Sequence, residues 1–252
     1  MKVISFSNFK GGVGKSSSSL CVAYSLVNRG YRVLLIDADS QANLSLSLGL
    51  DKNSDLHIGN FILGEKSFDQ VAKKINSLLQ IIPSSLKVQV YEKMLSAENE
   101  YQYFLKERLE DISSFDYLII DTPPALNSFT FASLVATDYL FIPAQPEIFG
   151  VEGLTTILDT VERLKKRSNK NLRIGGIFFT KYAKSYRKRI HHDLVDGLKE
   201  NYGNLIMNTT IRDNVSIAES QALKESIYNY APQSNGAKDY DELTSEILKR
   251  IN

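Results

Sequence analysis

Two lysines bracket a glycine-rich run, Lys10-Gly11-Gly12-Val13-Gly14-Lys15-Ser16. Glycines here let the backbone turn tightly and aim several N–H groups at one anion. Lys15 adds a mobile positive charge for outer phosphates, and Ser16 offers a hydroxyl to a magnesium ion. The general pattern G-x-x-x-x-G-K-[ST] would put glycine where this chain has Phe9, and Lys10 is an additional cation. Glycine clusters alone mark turns. This one follows an apolar run, Val3–Ser7, that predicts a buried strand. It opens Ser16–Arg29, which predicts a helix. A glycine turn between strand and helix is a phosphate cradle.

Two more stretches end in carboxylates. Val33-Leu34-Leu35-Ile36-Asp37 runs into Ala38-Asp39-Ser40-Gln41. Alternation puts Asp37 and Asp39 on one side of an extended chain. Ligands of open parallel sheets sit beyond the carboxyl ends of strands, so both acids would face the cradle. Paired aspartates also serve as turn formers; the company of the glycine loop favours the chemical use. Tyr117-Leu118-Ile119-Ile120-Asp121, then Thr122-Pro123-Pro124, is a bulky run with a terminal acid. That is a Walker B pattern, whose acid would hold a magnesium-bound water.

These residues need a frame that brings strand ends together. Short apolar runs recur at Val3–Ser7, Val33–Asp37, Leu79–Pro83, Tyr117–Asp121, Tyr139–Pro143, Ile174–Phe179 and Leu205–Thr209, with helical patterns between most of them. Strands apolar on both faces belong to a parallel sheet covered on both sides. The expected fold is therefore α/β: one domain over residues 1–252, a mostly parallel twisted sheet with helices on both faces, of P-loop NTPase type. A TIM barrel is disfavoured, because its phosphate sites come late in the chain. In the first helix Leu20, Ala23, Tyr24 and Val27 form a core-facing stripe. Shorter helices are expected at Ile58–Leu63 and Phe68–Ile75, a charged one at Glu98–Asp111, and an amphipathic one at Gly236–Ile251.

Composition narrows the partners. A net charge of +1 over 252 residues provides no global field for nucleic acid, so any such contact is local. The single cysteine, Cys21, allows neither a disulfide framework nor a cysteine zinc site and reads as a small core residue. No signal peptide or membrane-length apolar run is visible. A cytoplasmic setting is expected.

With its two lysines, K-G-G-x-G-K-S resembles the deviant P-loop of the ParA/MinD family of ATPases. The resemblance extends over most of the chain. Asp37-Ala38-Asp39-Ser40-Gln41-Ala42-Asn43 is similar to D-x-D-P-Q-G-N, with Ser40 and Ala42 in place of Pro and Gly. Ile119-Ile120-Asp121-Thr122-Pro123-Pro124 matches I-I-D-T-P-P. Ile142-Pro143-Ala144-Gln145-Pro146-Glu147, then Glu152-Gly153-Leu154, resembles I-P-x-Q-P-E…E-G-L. Ile211-Arg212-Asp213-Asn214-Val215 and Tyr230-Ala231-Pro232-Gln233-Ser234-Asn235-Gly236-Ala237, followed by Tyr240, resemble closing segments of the ParA branch.

The resemblance implies ATP and Mg²⁺ as ligands, held by Lys10, Gly11, Gly12, Val13, Gly14, Lys15, Ser16 and Ser17. It implies that Asp39 positions the attacking water and that Asp37 supports the magnesium region beside Ser16 and Asp121. Arg212 and Asn214 are candidate base contacts, although Arg212 stands where the family has Pro. Lys10 would reach across a homodimer with ATP sandwiched at the interface, so Lys10, Lys15 and Asp39 form the catalytic set.

Two basic clusters remain. Arg163, Lys165, Lys166, Arg167, Lys170 and Arg173 close a helix, where cations offset the macrodipole and are solvated. Lys181, Lys184, Arg187, Lys188 and Arg189 open one, where positive charge opposes the dipole and points to a polyanion. ParA relatives bind nonspecific DNA with basic residues in this region, so Lys184, Arg187, Lys188 and Arg189 are candidate DNA contacts, and the resemblance implies nucleoid association. Ser216 replaces an arginine frequent in strongly binding relatives. His57 and His191-His192 read as surface or structural residues, and Tyr228, Tyr230 and Tyr240 as packing residues.

The resulting expectation is a slow partition ATPase acting with a ParB-like centromere-binding protein, without operator-specific repression. The alternatives are a MinD-like positioning ATPase, disfavoured because only Lys249 and Arg250 lie near the end as a basic anchor, and a non-hydrolysing adaptor. No membrane partner is expected.

Overall fold

Strands with apolar residues on both faces should be covered on both sides, and the computed structural model has that arrangement. It describes residues 1–186 and 189–252, without the side chains of 148–152. The first half runs β1 (Lys2–Phe6), α1 (Lys15–Asn28), β2 (Val33–Asp37), α2 (Asn43–Ser47), α3 (Ile58–Ile62), α4 (Phe68–Val71), β3 (Lys73–Lys74), β4 (Leu79–Ile82), α5 (Val88–Ala97), α6 (Phe104–Leu109) and β5 (Tyr117–Asp121). The second half runs α7 (Ser128–Ala136), β6 (Tyr139–Ala144), α8 (Ile148–Arg167), β7 (Arg173–Phe179), α9 (Arg189–Tyr202), α10 (Val215–Ala222), α11 (Ile227–Tyr230) and α12 (Asn235–Ile251).

The sheet order is β3-β4-β2-β5-β1-β6-β7, parallel except for the β3–β4 pair at one edge. Alternation sorts each strand between two layers. Ile4, Phe6, Leu35 and Ile119 pack against α1 and α12, whereas Val3, Leu34, Ile36, Leu118 and Ile120 pack against residues of α3, α5 and α6. A third cluster joins β6 and β7 to α8 and α9. β5 pairs with β1 on one side and β2 on the other, so Asp121 is in register with both Phe6 and Asp37. This brings the three chemical stretches to adjacent strand ends, as the open-sheet rule requires.

The face carrying α1 is not purely apolar. Ser18 Oγ lies 3.1 Å from Tyr240 Oη, and Ser25 Oγ donates to Asp241 Oδ1 at 2.8 Å. Gln221 Nε2 donates to Ser17 Oγ at 2.9 Å, and Tyr228 Oη to the Cys21 carbonyl at 3.2 Å. Cys21 itself is buried, which pushes its thiol pKa up and removes it from nucleophilic use.

Several sequence expectations are corrected. Leu205–Thr209 is not a strand: a 3₁₀ turn covers Gly203–Leu205, and Ile206 makes only an isolated bridge to Ile177. The helix expected to Ile75 stops at Val71, because Lys73–Lys74 pair with β4. Glu98–Asp111 is divided by Glu100, whose φ of 57° no helix tolerates. Only Tyr101–Tyr103 and α6 are helical there, and α5 precedes them unforeseen. Of the two roles expected for His57, surface or structural, the structural one holds: it is buried, and its Nδ1 accepts the Gly59 N–H at 3.2 Å and caps α3. Tyr230 is exposed, its hydroxyl donating to Glu219 Oε2 at 3.1 Å.

Candidate active site

The loop between β1 and α1 has its carbonyls tied down from behind. Lys15 Nζ donates to the Lys10 carbonyl at 3.1 Å. Gln145 Nε2 donates to the Gly12 carbonyl at 2.8 Å, and Thr180 Oγ1 to the Val13 carbonyl at 2.9 Å. The left-handed φ values of Gly12 (74°) and Gly14 (90°) permit the turns between these anchors. With the carbonyls held, the N–H groups of Gly11, Gly12, Val13 and Gly14 meet no acceptor among the described residues. The first amides of α1 are also free, as at any helix start. The loop is a ring of unspent donors around an anion-sized space.

That space belongs to a cavity of about 1130 Å³, lined by the loop, Ser16, Ser17 and Asp39 and by residues 211–215, 217, 218, 221 and 222. Lys15 is buried, and burial holds its ammonium pKa below the usual range while Asp121 and Asp39 pull it back up. An added phosphate would complete this partial compensation.

All three carboxylates are buried, and they divide by access to the cavity. Asp37 is fully enclosed and receives the Ser45 N–H (2.8 Å), the Ser45 hydroxyl (2.7 Å) and the Asp39 N–H (3.2 Å). It does not line the cavity. Burial lifts its pKa to about 7 despite these donors. Asp39 lines the cavity, with Oδ1 accepting the Gln41 N–H at 2.9 Å. Asp121 Oδ1 takes the Ser19 hydroxyl at 3.3 Å, but the buried Oδ2 receives no hydrogen bond. Burial first, and Asp37 second, push the Asp121 pKa well above the carboxylate range, and a hydrogen bond from Ser16 pulls it down. The unpaired Oδ2 of this buried carboxyl fits a divalent cation by its donor chemistry, since a bound cation would favour the ionised form that burial disfavours.

A folded-state pKa near 7 has a measurable consequence. As pH rises from about 4 to 7 the unfolded chain releases the Asp37 proton while the folded chain retains it, so stability is lost across that window. Asp37→Asn removes this term. Its melting temperature relative to the parent is expected to climb from pH 4 to 7 and level off above. A constant difference across the range would refute the buried-acid account.

Of the remaining sequence candidates, Arg212 and Asn214 line the cavity. Lys10 turns outward, its Nζ 2.6 Å from Glu147 Oε2. The Arg212 guanidinium is bound to Asp239 on α12, as close as 2.5 Å, and the backbone N–H of Arg212 reaches the same carboxylate at 2.8 Å. Asn214 Oδ1 caps α10 by accepting the Ser216 N–H at 2.9 Å. Lys184 and Arg189 are exposed, and no described carboxylate pairs with them; Arg187 and Lys188 lie outside the described residues. His192 is structural: its ring nitrogens lie 2.8 Å from Tyr182 Oη and 2.6 Å from the Tyr186 carbonyl oxygen.

Thr180, Gln145, Gln221 and Tyr240 were not anticipated as site residues. Thr180 and Gln145 follow the ends of β7 and β6, where the carboxyl-end rule could have found them. Gln221 carries no local signal, and Tyr240 reads in the sequence only as a packing residue.

Residues 1–174 match a family model described as an AAA domain. The chromosome-partitioning ATPase Soj of Treponema pallidum is 34% identical over 252 residues, covering 99% of this chain and 98% of that protein. The chromosome partitioning protein ParA of Caulobacter vibrioides is 30% identical, covering 99% and 95%. Among solved structures, cobyrinic acid a,c-diamide synthase from Mycobacterium smegmatis, with bound ATP analog and magnesium, is 25% identical with a TM-score of 0.86, covering 99% of this chain and 95% of that one.

Proposed function

The chain belongs to the ParA/Soj family of P-loop ATPases, and on that footing we propose a DNA-partitioning ATPase that dimerises around ATP, binds DNA without sequence preference and answers to a ParB-like centromere-binding partner. The carrying observation is the ring of free amides at Gly11–Gly14 over one cavity with Lys15 and Asp39. Phosphoryl transfer to water needs charge neutralisation and an aligned nucleophile more than covalent help. The amides and Lys15 meet the first need, and Asp39 holds the water for the second. Magnesium, bound through Ser16 and Asp121, would neutralise further phosphate charge. Asp37 acts from below, fixing the strand end through Ser45.

Lys10 supports a shared site. Its ammonium is turned from its own cradle toward Glu147, so a subunit alone lacks this cation at the phosphates. On dimerisation Lys10 leaves Glu147 for the partner's nucleotide. An exposed pair costs only about 0–1 kcal/mol to break. Turnover is therefore slow in the monomer. DNA contact is assigned to the unpaired cations Lys184 and Arg189 together with Arg187 and Lys188.

Duplex DNA binding measured with ATP, ADP and no nucleotide across a salt series tests this reading. ATP should tighten binding by roughly tenfold or more, affinity should fall with salt, and Lys10→Ala should remove the ATP effect. Equal binding in all three nucleotide states would overturn the proposal.

A further inference from the structure

A second concavity lies away from the nucleotide. It holds about 350 Å³ between the turn at Tyr101–Tyr103, the start of α7 and the second half of α8. That is the small end of the range for ligand sites, suited to an inserted side chain or two. Its apolar lining includes Leu126, which is 46% exposed, half-buried Phe131 and buried Leu164. The charged groups in its lining are two guanidinium groups, Arg163 and Arg167, with no carboxylate among them. Both arginines are exposed, and neither pairs with a described carboxylate; the nearby Glu162 is taken by Lys165 at 3.3 Å. Lys166, Lys170 and Arg173 are also exposed.

We propose that this groove docks an acidic segment of a partner protein, with a large apolar side chain inserted over Phe131 and Leu164 and carboxylates forked onto Arg163 and Arg167. Cations at a helix C-terminus need no partner, since they offset the macrodipole. An apolar hollow framed by unpaired guanidinium groups is a different matter. Guanidinium planes match carboxylates two bonds at a time, and an exposed leucine beside them gains by being covered. Duplex phosphates would use the arginines but leave Leu126 and the hollow unfilled. The position also gives the contact a consequence. Leu126 follows Pro124, which lines the nucleotide cavity, on the loop that leaves Asp121. A segment pressed on Leu126 therefore restrains the loop carrying the third carboxylate, which offers a partner control over the nucleotide site without entering it.

The test uses the full chain and fluorescein-labelled peptides that carry one leucine or phenylalanine among glutamates, the same peptides with lysines for glutamates, and a DNA duplex. The acidic peptides should bind and shift backbone amide resonances at 126–131 and 160–168. Arg163→Ser with Arg167→Ser should weaken them by roughly tenfold, with the melting temperature held because both side chains are exposed. Binding of the lysine peptides as tightly as the acidic ones overturns the proposal. So does failure of every acidic peptide, unchanged binding by the double variant, or a duplex that shifts these resonances when the peptides do not.

Discussion

Lys15→Ala protein is expected to lose about 100-fold or more in ATP affinity while keeping its fold. The ammonium is buried at the base of the cavity and held to the Lys10 carbonyl. Each charge-assisted bond to a phosphate oxygen contributes about 1.5–3 kcal/mol, and each 1.4 kcal/mol is a factor of ten. The fold tolerates the change because burial already drives Asp37 and Asp121 toward their neutral forms. Losing the neighbouring cation pushes Asp121 further in that direction and leaves no bare charge. Titration calorimetry with ATP and Mg²⁺, alongside thermal melts of nucleotide-free protein, reads both parts. Affinity within tenfold of the parent would show that the free amides suffice and that Lys15 has been misassigned. A collapsed melt would show that its bond to Lys10 holds the loop together.

Asp39→Ala should separate binding from turnover. Hydrolysis is expected to fall by about 10²–10⁴-fold, the range for a lost general base, with ATP affinity changed only a few-fold. Asp37 and Asp39 are two residues apart but do different work. Asp37 is saturated by three donors beneath the surface, whereas Asp39 reaches the cavity with one oxygen committed to Gln41. Of the two, Asp39 is the one that lines the cavity. Phosphate release at saturating ATP, with sedimentation to follow the dimer, should show a nearly inactive protein that stays dimeric longer than the parent. Normal turnover by Asp39→Ala would remove Asp39 from the mechanism.

What could be read from the sequence follows from how local each signal is. The glycine loop, the strand ending in Asp37 and the strand ending in Asp121 are contiguous patterns, and sheet topology then brings their ends together. The central strands were legible because burial on both faces leaves an unbroken apolar run. The β3 edge was not, since Lys73 and Lys74 face solvent and have only one neighbouring strand. α5 was obscured by an outward stripe of Val90 and Met94, 61% and 43% exposed, which blurs its polar face. Leu205–Thr209 has strand-like composition but makes a single bridge, at Ile206, instead of a ladder. In the site, the pairing of Lys10 with Glu147 was not legible, because an ion pair across 137 positions leaves no trace in spacing. The same holds for Thr180 behind Val13.

The hydrogen bonds that fix α1 join residues 204 to 222 positions apart. Unlike apolar contacts, such bonds set direction, so the angle at which α1 leaves the glycine loop is fixed only once α10, α11 and α12 are in place. A nascent chain emerging from the ribosome can pair β1, β2 and β5 as soon as they are made, yet the cradle they support stays loosely aimed. Nucleotide affinity is then expected late in biosynthesis, once the last three helices are packed against α1.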